Sequence, residues 1–222
     1  MCGIFCSDNV STFEVLGEAN KERGNFSTGI LFTNGKRHNI LRIEGGANWD
    51  ETKLPVEKGW LYLGHNLAPT ETGRKWFEKT SHPFEYGDWI VAHNGVLTNH
   101  SELKGKFLPK HDCGVDSSII PALLHENDSI LGPPKGEIDE ISNIVQTLEL
   151  LEGTFALWIM NSRTKNLYIA RQGSTLFYKG NNISSIKGKG YRQVKEGFLY
   201  KFSHNGLIKK DEFKTQSPFL TL

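Results

Sequence analysis

The sequence has few cysteines and no long apolar run. Its three cysteines are Cys2, Cys6 and Cys113, an odd number that does not form a paired disulfide framework. The N-terminus lacks the basic segment followed by an apolar segment that is typical of a secretory signal. No apolar run approaches the roughly 20 residues that a membrane-spanning helix needs. These absences predict a cytoplasmic protein that neither enters the membrane nor depends on disulfides.

The sequence also lacks an excess of charge of either sign: the formal net charge is +1, and the Lys and Arg residues are scattered along the chain. A nucleic-acid partner is therefore not expected. The eight histidines include no H-x-x-x-H pair and the cysteines no C-x-x-C pair, so no metal site is expected either. His65 and His93 are interpreted as supports of turns. The segment KGKGYRQ lacks the third glycine of a dinucleotide loop, and no cofactor is predicted.

Short apolar segments separated by turn residues dominate the chain, with a few helical stripes between them. The spacing predicts a strand over 2–7 and helices over 9–22 and 137–151, and it indicates a helical face over 117–126 with Pro121 in the first turn. Further strands are predicted in GILF, HNILRIEGG, WLYLGHNLAP, DWIVAHNGVL, GTFALWIM, NLYIAR, STLFYKG, FLYKFS and GLIKKDEF. Without regular alternation of strands and helices, this order predicts an α+β fold with mostly antiparallel sheets. We expect one domain over residues 1–222.

Cys2 stands directly behind the initiator methionine, and three interpretations compete for it. A strand over CGIFC would hold Cys2 and Cys6 about 13 Å apart, whereas a disulfide needs Cα atoms within about 7 Å. A buried strand cysteine remains possible. In the third interpretation, removal of Met1 exposes the α-amine of Cys2, whose reference pKa of about 7.7–8.0 suits a general base for the neighbouring thiol.

Such a nucleophile needs hydrogen-bond donors for the oxyanion that its attack creates. Asn94 and Gly95, in the segment HNG, offer a side-chain amide and a closely approaching backbone N–H. The alternative is a hairpin turn, which Asn-Gly strongly favours.

Two charged residues are candidates for substrate binding. Asp116 precedes an apolar helical run and would bind a substrate amine; its alternative role is a helix N-cap. Arg23, in RGNFSTG, would hold the nucleophile loop or a substrate carboxylate. The alternative is a solvated arginine beside a turn glycine.

Taken in order, these segments resemble the class II glutamine amidotransferase domain, a family of N-terminal-nucleophile hydrolases. MCGIF matches the family's opening Met-Cys-Gly-Ile, RGNFSTG its Arg-Gly-x-x-Ser-x-Gly, and GHNLAPT part of its Gly-His-x-Arg-x-x-Thr. SHPFEYGDWIVAHNG, NHSEL, VDSSI, GTFALWIM and ARQGSTLFYKG follow in the family's order, from residue 1 to about 180.

The resemblance implies a four-layer αββα sandwich with two mostly antiparallel sheets, and a role for each matched residue. Cys2 would attack the side-chain amide of glutamine, Asn94 and Gly95 would form the oxyanion hole, Asp116 would bind the substrate α-amino group, and Arg23 would support the site. A γ-glutamyl thioester would form, ammonia would leave, and water would release glutamate.

One departure concerns the substrate carboxylate. The family's arginine in Gly-His-x-Arg grips the glutamine α-carboxylate, but here Leu67 takes its place. Arg74 is the first candidate replacement and Lys75 the second, and the retained Thr70 would still donate a hydrogen bond. In VDSSI, Ser118 replaces the family's usual glutamate.

Three functions follow from these expectations. The first is a stand-alone glutaminase or amidotransferase that releases ammonia to an acceptor synthase on a separate chain, since no second, synthase-like segment follows residue 180. The second is a binding or scaffold protein with a degraded glutamine site, favoured by Leu67. The third is an N-terminal-nucleophile hydrolase that acts on another amide.

Overall fold

The computed structural model describes residues 2–68, 75–108, 110–111 and 114–215. Four α-helices are present: α1 Val10–Asn20, α2 His100–Phe107, α3 Ile119–Leu131 and α4 Glu137–Leu150. Single 3₁₀ turns lie at Glu78–Thr80 and Asp116–Ser118. The strands are β1 Gly3–Ser7, β2 Ser27–Thr33, β3 His38–Glu44, β4 Leu61–Leu67, β5 Phe84–Tyr86, β6 Trp89–Leu97, β7 Gly153–Asn161, β8 Leu167–Gln172, β9 Phe177–Lys179, β10 Asn182–Ser184, β11 Arg192–Gln193, β12 Phe198–Ser203 and β13 Gly206–Glu212.

The strands form two antiparallel sheets. Sheet A has seven strands in the order β11-β9-β10-β1-β4-β2-β3, and sheet B has six in the order β13-β12-β8-β7-β6-β5. Side chains such as Ile4, Leu63, Ala92 and Trp158 fill the space between the two sheets. Alternate residues of one strand therefore face either this shared core or a helical layer.

Helices cover the outer faces of both sheets. Helix α1 lies on sheet A, where Phe13 packs on Phe5 with ring centroids 4.9 Å apart. Helices α2, α3 and α4 cover sheet B around Phe155 and Leu148. The four layers αββα expected from the resemblance are confirmed.

Local sequence explains where the main helices begin. Asn9 accepts a hydrogen bond from the backbone N–H of Thr12 and so caps α1. Pro121 is the third residue of α3, where its missing N–H costs nothing. Acidic residues in the first turn of α4 suit the positive end of the helix dipole. The helices predicted over 9–22, 117–126 and 137–151 are confirmed, with ends that differ by at most five residues.

Cys2 and Cys6 are both free thiols, in agreement with the strand geometry that excluded a bridge between them. Among the described residues, no helix combines the length and apolar character that crossing a bilayer requires.

Candidate active site

Cys2 lies immediately before β1, which runs between β10 and β4 in the middle of sheet A. Its side chain is half-buried, and its Sγ donates a weak hydrogen bond of 3.7 Å to the carbonyl oxygen of Ala68, just past the end of β4. Burial raises the pKa of this thiol. A reactive thiolate at this position would therefore need help from nearby groups.

The RGNFSTG segment is hydrogen-bonded to Cys2 and to the end of β4. The Nε of Arg23 donates a hydrogen bond of 2.7 Å to the carbonyl oxygen of Cys2. A Cβ on Gly24 would lie 2.4 Å from the backbone nitrogen of Ala68, so only glycine permits this approach. Phe26 N–H donates to the carbonyl of Leu67 at 2.9 Å. The Arg23 charge opposes the effect of burial and lowers the thiol pKa.

The HNG segment lies inside strand β6 and does not form a turn. His93, Asn94 and Gly95 pair with Leu157, Ala156 and Phe155 of β7. The hairpin-turn interpretation is therefore wrong. A Cβ on Gly95 would meet the carbonyl oxygen of Thr154 at 1.9 Å, so this position too has room only for glycine.

Two hydrogen bonds join the sheets at this place. His65 of β4 contacts the carbonyl oxygen of His93 through Nε2 at 3.0 Å, and because a carbonyl only accepts, Nε2 is the donor. Asn94 Nδ2 donates to the hydroxyl of Ser185 at 3.3 Å. His65 and His93 thus support the site from within strands and not from turns, which corrects that expectation.

His65 and His93 are both fully buried and neutral. Burial lowers the pKa of His65 to about 3, and it lowers the pKa of His93 as well. The Nε2 of His93 donates to the carbonyl of Thr154 at 3.1 Å, so its Nδ1 accepts from the hydroxyl of Ser117 at 2.8 Å. The histidine that precedes Asn94 is thereby held in one tautomer.

Asp116 connects this strand to α3. Its Oδ2 accepts from the backbone N–H of Leu97 at 3.0 Å, and its Oδ1 accepts from that of Ser117 at 2.8 Å. Asp116 opens a 3₁₀ turn and does not cap α3, which begins after Ser118 without a side-chain cap. Its charge raises the pKa of Cys2, although less than burial does, so the carboxylate lies close enough to act on the thiol.

Leu67 ends β4 beside these groups. It follows Asn66, which pairs with Gly3 of β1, and its side chain is buried, with 5% exposed. An apolar side chain therefore occupies the strand end next to Cys2. Thr70 and Arg74 lie outside the described residues, and Lys75 is exposed.

The structure thus links Arg23 to Cys2 by a hydrogen bond, Asn94 to Ile4 through the Ser185 hydroxyl, and Asp116 to β6 through Leu97. Sequence reasoning missed Ser185 and Ser117, which contact Asn94 and His93. An ordinary serine carries no local pattern that separates a hydrogen-bonded core position from a loop position. Within the described ranges, no group of three or more His, Cys, Asp or Glu side chains is arranged to hold a metal ion.

Comparison with known proteins places these features in context. A family model described as "Glutamine amidotransferase domain" matches residues 77–186, which include Asn94, Gly95 and Asp116. The glutamine–fructose-6-phosphate aminotransferase (isomerizing) of Helicobacter pylori is 27% identical over 221 residues, covering 96% of this chain and 34% of the relative. The chain spans about a third of the length of the curated relatives it matches.

Solved structures share the fold at low sequence identity. The glutamine phosphoribosylpyrophosphate amidotransferase of B. subtilis superposes with a TM-score of 0.67 at 16% identity, over 95% of this chain and 49% of that one. A glutamine aminotransferase class-II domain protein from Silicibacter pomeroyi superposes with a TM-score of 0.57 at 12% identity, over 96% of this chain and 100% of that one.

Proposed function

Because this chain carries a class II glutamine amidotransferase domain with the N-terminal-nucleophile fold, we propose that it hydrolyses the side-chain amide of glutamine with the Cys2 thiol as nucleophile. The reaction requires removal of Met1, which frees the α-amine of Cys2. That amine takes the thiol proton as sulfur attacks the amide carbon. Base and nucleophile then belong to the same residue.

The attack turns the amide oxygen into an oxyanion. The Asn94 side-chain amide and the Gly95 backbone N–H are the proposed donors, fixed in advance by the pairing of β6 with β7. The C–N bond then breaks, the Cys2 ammonium returns its proton to the departing nitrogen, and ammonia leaves. Water, deprotonated by the same amine, attacks the remaining γ-glutamyl thioester and releases glutamate and free thiol.

One observation carries this proposal: Arg23, from a loop 21 residues away, holds the carbonyl of Cys2, while Asp116, from beyond β6, acts electrostatically on the same thiol. A structural core cysteine needs neither group. Asp116 is the proposed partner of the substrate α-amino group, since its Oδ2 accepts a hydrogen bond from Leu97 N–H and retains a further lone pair.

Intact-protein mass spectrometry before and after 6-diazo-5-oxonorleucine, a glutamine-like electrophile, tests the proposal. We expect the mature protein to have lost Met1 and to gain a single adduct, with release of glutamate and ammonia from glutamine in a parallel assay. Cys2→Ala abolishes both adduct and turnover, whereas the matched variant Cys6→Ala, in the buried core, retains both.

An unlabelled Cys2 together with no glutamine turnover would refute the proposal. It would favour the binding or scaffold role, for which the buried Leu67 is the supporting feature. Turnover of a γ-glutamyl amide whose α-carboxylate is blocked, without turnover of glutamine, would favour a hydrolase for another amide. Thr70 and Arg74 remain proposed substrate contacts, with Arg74 in the carboxylate-binding role.

We further propose that the released ammonia serves an acceptor synthase on a separate chain. The Silicibacter pomeroyi chain, which the fold matches over its whole length, supports an amidotransferase-like domain that forms a chain by itself. Glutamine labelled with ¹⁵N at the amide, supplied with excess unlabelled ammonium and a co-expressed acceptor, tests the transfer. Label in the acceptor's product supports it, and unlabelled product contradicts it.

A further inference from the structure

Ser185 is a buried serine in the segment that follows β10, with 1% of its surface exposed. It is anchored to strand β1 in both directions: Ile4 N–H donates to its hydroxyl at 2.9 Å, and its own N–H donates to the carbonyl of Ile4 at 2.9 Å. The hydroxyl of Thr175 donates to its carbonyl at 3.1 Å. Its side chain is therefore fixed beside Ile4, which lies two residues along the chain from Cys2.

The same hydroxyl also reaches the opposite sheet. Asn94 Nδ2 donates to Ser185 Oγ at 3.3 Å, across the space between sheet B and sheet A. A hydroxyl oxygen has two lone pairs, so it accepts from Ile4 and from Asn94 at once. One atom thus connects the strand that follows the nucleophile with the strand that carries the oxyanion donor.

We infer that Ser185 is a positioning residue that fixes the orientation of the Asn94 side-chain amide. The inference rests on the proposed function, in which Asn94 donates to the oxyanion. An amide nitrogen carries two hydrogens. Ser185 accepts one, which fixes the orientation of the amide and leaves the other hydrogen for the reacting oxygen.

The anchoring to Ile4 gives this contact a second consequence. Because Ile4 and Cys2 belong to one continuous segment, a shift of the nucleophile strand relative to β6 would move Ser185 and Asn94 together. The distance between thiol and oxyanion donor is thereby held by a hydrogen bond as well as by packing between the sheets.

The neighbouring Ser184 provides a matched control. It is equally buried, but its hydroxyl accepts from Asn20 Nδ2 at 2.9 Å on the α1 side of sheet A. Ser184→Ala and Ser185→Ala therefore remove the same group one residue apart, and each releases a different asparagine amide.

The test follows the side-chain N–H signals of Asn94 by two-dimensional NMR, assigned by their loss in Asn94→Asp. We expect Ser185→Ala to shift these signals and to speed hydrogen exchange of the bonded proton, while leaving the Asn20 signals in place. Ser184→Ala does the reverse, and Ser185→Thr, which keeps the hydroxyl, retains the Asn94 pattern. Unchanged Asn94 signals in Ser185→Ala would overturn the inference.

Wild-type protein gives the same answer without a substitution, should Ser185→Ala fail to fold. We expect the Asn94 side-chain proton that is donated to Ser185 to exchange more slowly than the other proton of the same amide. Equal exchange of both protons would overturn the inference. This measurement needs no substrate, so it stands even if the chain hydrolyses no glutamine and the proposed function fails.

Kinetics separate positioning from a general structural effect. A displaced oxyanion donor should lower kcat for glutamine by about tenfold to hundredfold with little change in KM. Alkylation of Cys2 by iodoacetamide creates no oxyanion and should keep its rate. Equal loss of both rates in Ser185→Ala, or equal loss of kcat in Ser184→Ala, would contradict the positioning role.

Discussion

The Nε of Arg23 donates a 2.7 Å hydrogen bond to the carbonyl oxygen of Cys2, so the segment that follows α1 holds the residue immediately before β1. The guanidinium also places a positive charge near a thiol whose pKa burial raises. Arg23 therefore has a geometric effect on Cys2 and an electrostatic effect on its thiol, and the two are separable by experiment.

Replacing Arg23 with Met should remove both effects. Because the positive charge of Arg23 favours the thiolate of Cys2, its removal should slow Cys2 alkylation at neutral pH. The apparent pKa of the thiol, read from alkylation rate against pH, should rise because the nearby positive charge is gone. Arg192→Met, at an exposed position in β11, is the control; the same pH profile in both variants would refute the role.

Asp116→Asn should affect binding and stability together. One amide oxygen and one NH₂ group would replace two acceptors, so either Leu97 or Ser117 N–H loses its partner, at a cost of about 1–3 kcal/mol in the free energy of unfolding. Glutamine KM should rise by about tenfold or more as its α-amino group loses a charged partner.

Two comparisons control that experiment. A glutamine analogue without the α-amino group should show nearly the same KM in wild type and Asp116→Asn. Asp211→Asn, at an exposed position of β13, should change neither KM nor the urea midpoint. An equal rise in KM for both substrates would show that Asp116 does not bind the amine.

Leu67→Arg should restore a cation beside the site. Glutamine KM should fall by about tenfold, because an arginine on a carboxylate forms a charge-assisted, bidentate hydrogen bond. The α-amide of glutamine, which lacks the carboxylate, should gain nothing. The free energy of unfolding should fall, since a charge replaces a side chain that is only 5% exposed. Leu67→Met, as the apolar control, should keep the wild-type ratio of the KM values for glutamine and its α-amide. An unchanged KM ratio in Leu67→Arg would argue against this location for the substrate carboxylate.

Acid should destabilise the fold through His65. Its pKa is about 3 in the folded protein against a reference value of 6.5, so the unfolded chain binds more protons between these pH values. The contribution of neutral His65 to stability is complete above pH 6.5 and is lost progressively as the pH falls towards 3. Urea unfolding at pH 7, 6 and 5 should show that the free energy of unfolding falls more steeply with decreasing pH in wild type than in His65→Gln. His204→Gln, at an exposed position, should keep the wild-type slope; equal slopes in wild type and His65→Gln would disprove the linkage.

Strands and helices with a strong repeating pattern were predictable. The apolar stripe over 137–151 became α4 Glu137–Leu150. Helix α2 was missed because HSELKGKF buries only Leu103. Strand β10 was missed because three residues are too few to show a period of two.

At the site, sequence could name the residues but not all their environments. Asn-Gly reads as a turn in isolation, yet Asn94 and Gly95 lie within a nine-residue strand because β7 pairs with them along its whole length. Tertiary pairing overrides local preference wherever the partner strand buries the segment. Likewise, Asp116 resembles an N-cap in the sequence, but it accepts from the N–H of Leu97 in β6 and of the adjacent Ser117, and it does not cap α3.

The sequence by itself predicted the family, because Cys2, RGNFSTG, HNG and VDSSI occur in the order of one family and each lies at the edge of a recognisable apolar segment. Only the tertiary structure decided how these groups are held. The bonds from Asn94 to Ser185 and from His65 to His93 join residues 91 and 28 positions apart. Such contacts leave no trace in local periodicity, since they exist only after two sheets, each formed by its own pattern, have packed face to face.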